Sequence, residues 1–233
     1  MTNPGHDWKL FLVQELCSAS LDKIMEAGLF HTLDESKGFI PLGGWKHEAD
    51  KGKAKKVANL LHVYGSLLDI ASGMEYLHER SIIHGDLKPE NILTKRDPQN
   101  PQGFTCKITD FGLSAMMDPK KTHVSNFRHG TPFYMAPEIF NGQTTTASDV
   151  FSFGMLMTEL YTGRTPWVYE EGRFLPNLRF IPQLEEDAPL PYADMARSCV
   201  RMNPKERPPF AETRMKLRDL LDNEVERLKG SRA

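Results

Sequence analysis

Apolar residues between positions 57 and 78 recur at three- and four-residue intervals: Leu60, Leu61, Val63, Tyr64, Leu67, Leu68, Ile70, Ala71, Met74 and Leu77. With no proline inside it, that spacing predicts an amphipathic helix. A second helix is predicted over 147–161, where Val150, Phe151, Phe153, Leu156, Met157 and Leu160 leave almost no polar face. A helix of that kind belongs in the middle of a bundle. Shorter helices are expected near 190–202 and 209–229, and from Ser18 to about Gly28, with Ser18 or Ser20 as N-cap and Leu21, Ile24 and Met25 on one face. Strand-forming runs are few. The segment WKLFLVQELC (8–17) reads as one strand. The apolar stretches Ile92–Leu93 and Cys106–Ile108, on either side of the turn-rich RDPQNPQG, read as a hairpin. Between them these elements leave 31–56, with Pro41, Gly43–Gly44 and the basic run KGKAKK, as a loop or insertion, and 113–138 as a polar loop. The predicted fold class is mainly α, a helical bundle with short β-hairpins.

Composition narrows the partners more than the fold. Hydrophobic residues make up 39% and charged residues 26%, the proportions of an ordinary globular chain. A formal net charge of -2 argues against a nucleic-acid surface or a polybasic membrane anchor. Three cysteines, Cys17, Cys106 and Cys199, lie far apart without a CxxC pair, which fits a reducing compartment and offers no zinc-site spacing. There is no run of about 18 apolar residues and no signal-peptide pattern, so no membrane span is expected. A cytoplasmic location follows, with the nucleus equally open. Nothing in the sequence sets an oligomeric state.

The chemistry concentrates in two short segments. Phosphoryl transfer needs a carboxylate near the attacking hydroxyl, oxygen ligands for Mg²⁺, and cations against the phosphate charge. HGDLKPEN (84–91) supplies Asp86, Lys88 and Asn91, and Pro89 restricts the backbone so that the segment stays a loop. DFG (110–112) supplies Asp110, a second hard oxygen ligand of the kind Mg²⁺ prefers.

Taken with GTPFYMAPE (130–138) and DVFSFGMLMTEL (149–160), these segments resemble the hinge and C-terminal lobe of eukaryotic-type protein kinases, over about residues 8–225. The resemblance implies ATP and Mg²⁺ as cofactors and a protein as substrate. It implies that Asp86 accepts the substrate hydroxyl proton, Lys88 stabilises the transferring phosphoryl group, and Asn91 and Asp110 hold Mg²⁺. By the same resemblance Gln14 is the gatekeeper, Glu15 to Cys17 the hinge whose backbone faces adenine, and Leu93 the apolar floor beneath the base. Glu138 should pair with Arg207, and Thr131 should hydrogen-bond toward Asp86 and Lys88. The DLKPEN form resembles serine/threonine kinases, and ASDVFSFGMLMTELYTGRTPW with NPKERPPF resembles the tyrosine-kinase-like group. Small-molecule phosphotransferases related to aminoglycoside kinases also use an HGD loop, but not with GTPFYMAPE and DVFSFG beside it.

Three departures from the family pattern matter. Gly85 stands where most members have an arginine that receives an activation-loop phosphate. Thr122 and Ser125, with Lys120, Lys121 and Arg128 nearby, therefore read as exposed loop hydroxyls rather than regulatory sites. His84 reads as a structural residue packed near Phe111, not as a base. No glycine-rich GxGxxG occurs in the 233 residues, so the expected organisation is a remnant at 1–7 and a partial kinase domain at 8–229, with the N-terminal β-lobe largely absent. Loss of a preorganised donor costs roughly 10²–10³ in rate. A chain inactive on its own is expected, or alternatively a non-catalytic, pseudokinase-like interaction platform. An exposed apolar patch near the hinge, with poor solubility, is the further expectation.

Overall fold

The computed structural model describes residues 14–33, 56–118, 120–121, 123–125, 129–178 and 180–230. In chain order the elements are β1 (Ala19–Ser20), α1 (Leu21–Glu26), β2 (His31–Leu33), β3 (Lys56–Ala58), α2 (Leu60–Glu79), β4 (Ile82–Ile83), β5 (Ile92–Arg96), β6 (Phe104–Ile108), β7 (Ala115–Met116) and β8 (Val124–Ser125). The second half holds α3 (Pro137–Phe140), β9 (Gln143–Thr144), α4 (Thr146–Thr162), β10 (Trp167–Glu170), β11 (Arg173–Pro176), α5 (Phe180–Asp187), α6 (Leu190–Cys199) and α7 (Phe210–Gly230). Helices form the body, and the paired strands are short antiparallel ribbons along its surface.

Two helices organise the core. The apolar face of α2 is buried through Val63, Leu67, Ile70, Ala71 and Met74, and α7 packs along it. Each such aliphatic side chain removed from water contributes about 1.5–3 kcal/mol before entropy is counted. The Asn59 side chain caps α2 by accepting the His62 N–H at 3.3 Å. That cap sets the start of the helix two residues later than Ala58, because Val57 and Ala58 pair with β2 instead. Helix α4 is enclosed on nearly every side, with Val150, Phe153, Leu156, Met157 and Leu160 all buried. At Gly154 a Cβ would meet Val200 Cγ1 at 2.7 Å, so the close approach of α6 to α4 depends on that glycine.

The hairpin of β5 and β6 runs in register from Ile92 opposite Ile108 to Arg96 opposite Phe104, and β1 adds a short third strand. The strand expected over 8–17 is corrected where it is described: residues 14–17 form none. Pairing begins only at Ser18, whose N–H donates to the Thr94 carbonyl at 2.7 Å. Ahead of it the Glu15 side chain is held by Lys95 and Lys107, the latter at 2.9 Å. Residues 8–13, the remnant 1–7 and 34–55, with all of the basic run but Lys56, fall outside the described residues, as do Thr122 and Arg128. Of the residues expected to form an apolar patch near the hinge, Leu16 is 90% exposed and Leu93 half-buried.

Helix α1 is shorter than predicted because Ala19 and Ser20 are drawn into β1, but Leu21 and Met25 are buried as expected. The expected loop at 31–56 is closed at its ends by pairing of β2 with β3. His31 Nε2 then meets the Tyr161 carbonyl at 2.9 Å, fastening this pair to the end of α4. The ribbon of β10 and β11 and the helix α5 were not anticipated. Among the described residues no helix is long and apolar enough to cross a membrane.

Candidate active site

The loop 84–91 is hung from a single buried carboxylate. Asp149, in the first turn of α4 and 1% exposed, accepts the backbone N–H of His84 and of Gly85, both at 2.9 Å, and meets His78 Nε2 at 2.8 Å. Gly85 has φ +82°, a left-handed conformation that glycine adopts freely and a side chain would strain. His84 is fully buried; its Nε2 donates to the Thr109 carbonyl at 3.0 Å and its Nδ1 accepts the Asp86 N–H at 3.3 Å. Its ring meets Phe111 edge to face at 5.6 Å. The structural role expected of His84 is the one it has.

Asp86 is thereby presented with its carboxylate fully engaged. Oδ1 accepts both the backbone N–H and the hydroxyl of Thr131, each at 2.8 Å. Oδ2 faces Asn91 Nδ2 at 3.0 Å and Lys88 Nζ at 3.1 Å. Lys88 Nζ also donates to Thr131 Oγ1 at 2.7 Å, so lysine, hydroxyl and carboxylate form a relay. Burial alone would raise the Asp86 pKa, but the bonds from Thr131 and Lys88 outweigh it and hold the carboxyl below its ordinary value of 3.8. The stabilisation this represents is fully present above that ordinary value and is lost as pH falls through the depressed one.

The backbone brings Asn91 and Asp110 to the same end of the hairpin. Thr109 N–H donates to the Asn91 carbonyl at 3.0 Å, one pair beyond Ile92 and Ile108. Asn91 spends its amide N–H₂ on the Asp86 backbone carbonyl, at 2.8 Å, and on the Asp86 carboxylate. Its amide oxygen is left as the acceptor end. Asp110 is exposed at φ +60°, with Oδ1 accepting the Gly112 N–H at 3.2 Å. An amide oxygen and a carboxylate are hard ligands of the number Mg²⁺ takes from protein when phosphates and water complete its shell. Among the described residues no cluster of three or more His, Cys, Asp or Glu side chains could hold a metal ion by itself. The donor set fits Mg²⁺ carried by a nucleotide.

Of the remaining expected site residues, Leu93 lies on the same sheet, and Glu15 and Cys17 precede it. Leu93 is half-buried on β5 opposite Lys107 on one side and Ser20 on the other. Cys17 is half-buried and Glu15 exposed. On the activation-loop side, Ser125 is exposed, with Oγ 3.1 Å from His123 Nε2. Glu138 meets Arg207 through two bonds, at 2.6 and 2.9 Å, both residues being buried. Desolvation would raise the Glu138 pKa, but Arg207 and Ser148 bring it below its ordinary value. Two residues escaped the reading of the sequence: Asp149, as the anchor of the catalytic loop, and Glu159, a buried carboxyl near the other end of α4. A signal for Glu159 was present, since a carboxyl in the second half of a helix with almost no polar face must be buried.

Comparison with known proteins agrees with this geometry. A family model for the protein kinase domain matches residues 45–216. A probable serine/threonine-protein kinase of Dictyostelium discoideum is 35% identical over 162 residues, 68% of this chain and 15% of that protein. The serine/threonine-protein kinase RUNKEL of Arabidopsis thaliana is 34% identical over 157 residues, 64% of this chain and 11% of RUNKEL. Dual specificity testis-specific protein kinase 1 of Mus musculus is 32% identical over 176 residues, 68% of this chain and 26% of the mouse protein. The matched region is a minor part of each of these relatives.

Proposed function

Because the chain belongs to the protein kinase family, we propose that it acts as a serine/threonine phosphotransferase of the tyrosine-kinase-like group, moving the γ-phosphoryl group of ATP to a protein hydroxyl. The observation that carries this reading is the ionised, buried Asp86 carboxylate held jointly by Lys88, Asn91 and Thr131. In this reading the substrate hydroxyl gives its proton to Asp86 as its oxygen bonds to phosphorus, and ADP departs with the electrons of the broken bond. The four donors already on Asp86 fill its lone-pair positions. An incoming hydroxyl must displace one of them. Thr131 Oγ is the donor best suited to move, because its hydroxyl can turn away while its backbone N–H keeps the carboxylate oriented. Lys88 then stands beside the transferring group as a fixed cation.

Mg²⁺, when bound through Asn91 and Asp110, supplies neutralisation of the phosphate charge. Glu15 and Cys17 as hinge and Leu93 as floor are the corresponding adenine contacts. Some relatives carry dual specificity in their names, so tyrosine belongs in the test. The alternative reading is a non-catalytic interaction platform.

The test combines two measurements on the full chain. Mg²⁺-ATP should raise the melting temperature, and labelled phosphate should pass to a peptide library containing serine and threonine but not to its tyrosine-only counterpart. Asp86→Asn should slow transfer roughly 10²–10⁴-fold while leaving the thermal shift in place. Neither stabilisation nor transfer would leave the platform reading standing.

A further inference from the structure

The ribbon of β10 and β11 carries an aromatic face toward solvent. Cross-strand partners stand on the same face of a ribbon, and the register sets Tyr169 opposite Phe174 and Trp167 opposite Pro176. Tyr169, Phe174 and Trp167 therefore share one side. Their rings touch in sequence. The ring centres of Tyr169 and Phe174 lie 5.0 Å apart, and Phe174 meets Trp167 edge to face at 6.4 Å. Trp167 is half-buried, whereas Tyr169 is 52% and Phe174 60% exposed. Exposed apolar side chains that stand singly are ordinary, but rings in contact make a patch.

The frame under these rings is fixed at both ends. At its base Asn177 donates its backbone N–H to the Pro166 carbonyl and its side-chain N–H to the Thr165 carbonyl, each at 3.0 Å. The Thr165 hydroxyl donates to the Trp167 carbonyl at 2.7 Å. At the tip, Glu171 and Gly172 both take positive φ, the turn geometry that matches the twist of a two-stranded ribbon. Aromatic side chains held on such a frame lose little freedom when a partner covers them.

The patch also leads to the catalytic loop. Trp167 lies against Phe133 at 5.5 Å and edge to face against Tyr134 at 6.1 Å. Phe133 sits in a turn closed by the Tyr134 N–H on the Thr131 carbonyl at 2.9 Å, and Thr131 holds Asp86. An unbroken aromatic path thus runs from beside Asp86 to the tip of the ribbon. Its ring-to-ring steps of 5.5, 6.4 and 5.0 Å make it no longer than about five residues of extended chain. A peptide with its hydroxyl at Asp86 can follow that path along the surface.

We propose that the aromatic face of the β10–β11 ribbon docks an extended apolar segment of the protein substrate, within about eight residues of the hydroxyl that receives phosphate. The proposal rests on the kinase reading for the place of that hydroxyl at Asp86, but not for the docking of an apolar segment.

The test measures binding of the full chain to fluorescent serine peptides in which an Ile-Phe-Leu triplet is moved through the eight positions on either side of the serine. Each peptide has a twin with Gln-Gly-Asn in place of the triplet. At one or two offsets the apolar peptide should bind about tenfold more tightly than its twin. Tyr169→Ser and Phe174→Ser change exposed residues away from Asp86, so each should narrow that ratio and leave the thermal shift with Mg²⁺-ATP unchanged. Equal binding of the twins at every offset would overturn the proposal, as would a preference equally strong at all offsets or one that both variants leave intact. A dimer of the chain in sedimentation, dissociated by Phe174→Ser, would assign the face to a second copy and overturn it too. An apolar preference confined to one or two offsets, without any phosphoryl transfer, would instead fail the kinase reading and keep the docking face.

Discussion

Helix α4 carries two buried carboxylates near its opposite ends, and they have opposite characters. Asp149 is 1% exposed and receives two backbone N–H groups and a histidine ring. Glu159 is 5% exposed and receives one phenol. The first is a closed account of hydrogen bonds that fixes the catalytic loop in place. The second is left short of donors and lines a cavity of about 250 Å³ together with Asp22 and Glu90. Burial alone therefore does not distinguish the two; the count of partners does.

The largest effect that tests this contrast is removal of the satisfied member. Asp149→Ala leaves three donors without their acceptor in the protein interior and should cost about 3–5 kcal/mol in urea unfolding. A loss below about 1 kcal/mol would mean that water replaces the carboxylate, and that the contrast is overdrawn.

A smaller effect, with a sign that depends on pH, is expected at the other end. The Glu159 pKa is raised from 4.5 to about 8, so between those values the native state holds a proton that the unfolded chain releases. The stability contributed by protonated Glu159 is thus whole below about 4.5 and declines as pH rises toward about 8. Glu159→Gln should abolish that decline, which is at most about 1.4 kcal/mol per pH unit, while changing stability little at pH 5. Parallel stability curves for the two proteins across this window would show that Glu159 is charged and compensated.

The smallest expected change sharpens the same point. Tyr134→Phe removes the one donor to Glu159 among the described residues and should cost about 1 kcal/mol. It should also move the Glu159 titration, followed by NMR, further upward, because the hydroxyl bond lowers that pKa. A downward shift would show that another donor takes its place.

These contrasts also mark what the sequence could reveal. The periodic helices α2 and α4, the β5–β6 hairpin and the clustering of Asp86, Lys88 and Asn91 were legible because each depends on local spacing or on one contiguous motif, whereas the approach of Thr131 to them was expected only from the family resemblance. The cavity was not, since Asp22, Glu90 and Glu159 come from three separate elements and each looks like an ordinary acid in its own neighbourhood. The β10–β11 ribbon was missed for a different reason. Its turn has Glu171 at φ +48° and Gly172 at φ +81°, and a glutamate is a poor advertisement for a left-handed turn position. Pairing of β2 with β3 joins segments on either side of a long intervening stretch, which no local pattern announces.

One contact carries a consequence for control. Thr131 grips Asp86 with both its backbone and its hydroxyl, and the residue before it, Gly130, lies so close to the loop that a Cβ there would come within 2.8 Å of the Gly85 carbonyl oxygen. Any partner that lifts this strand of chain strips two hydrogen bonds from the Asp86 carboxylate in the same movement. Position of the segment and basicity of Asp86 are therefore a single thermodynamic variable: work done on one is registered by the other.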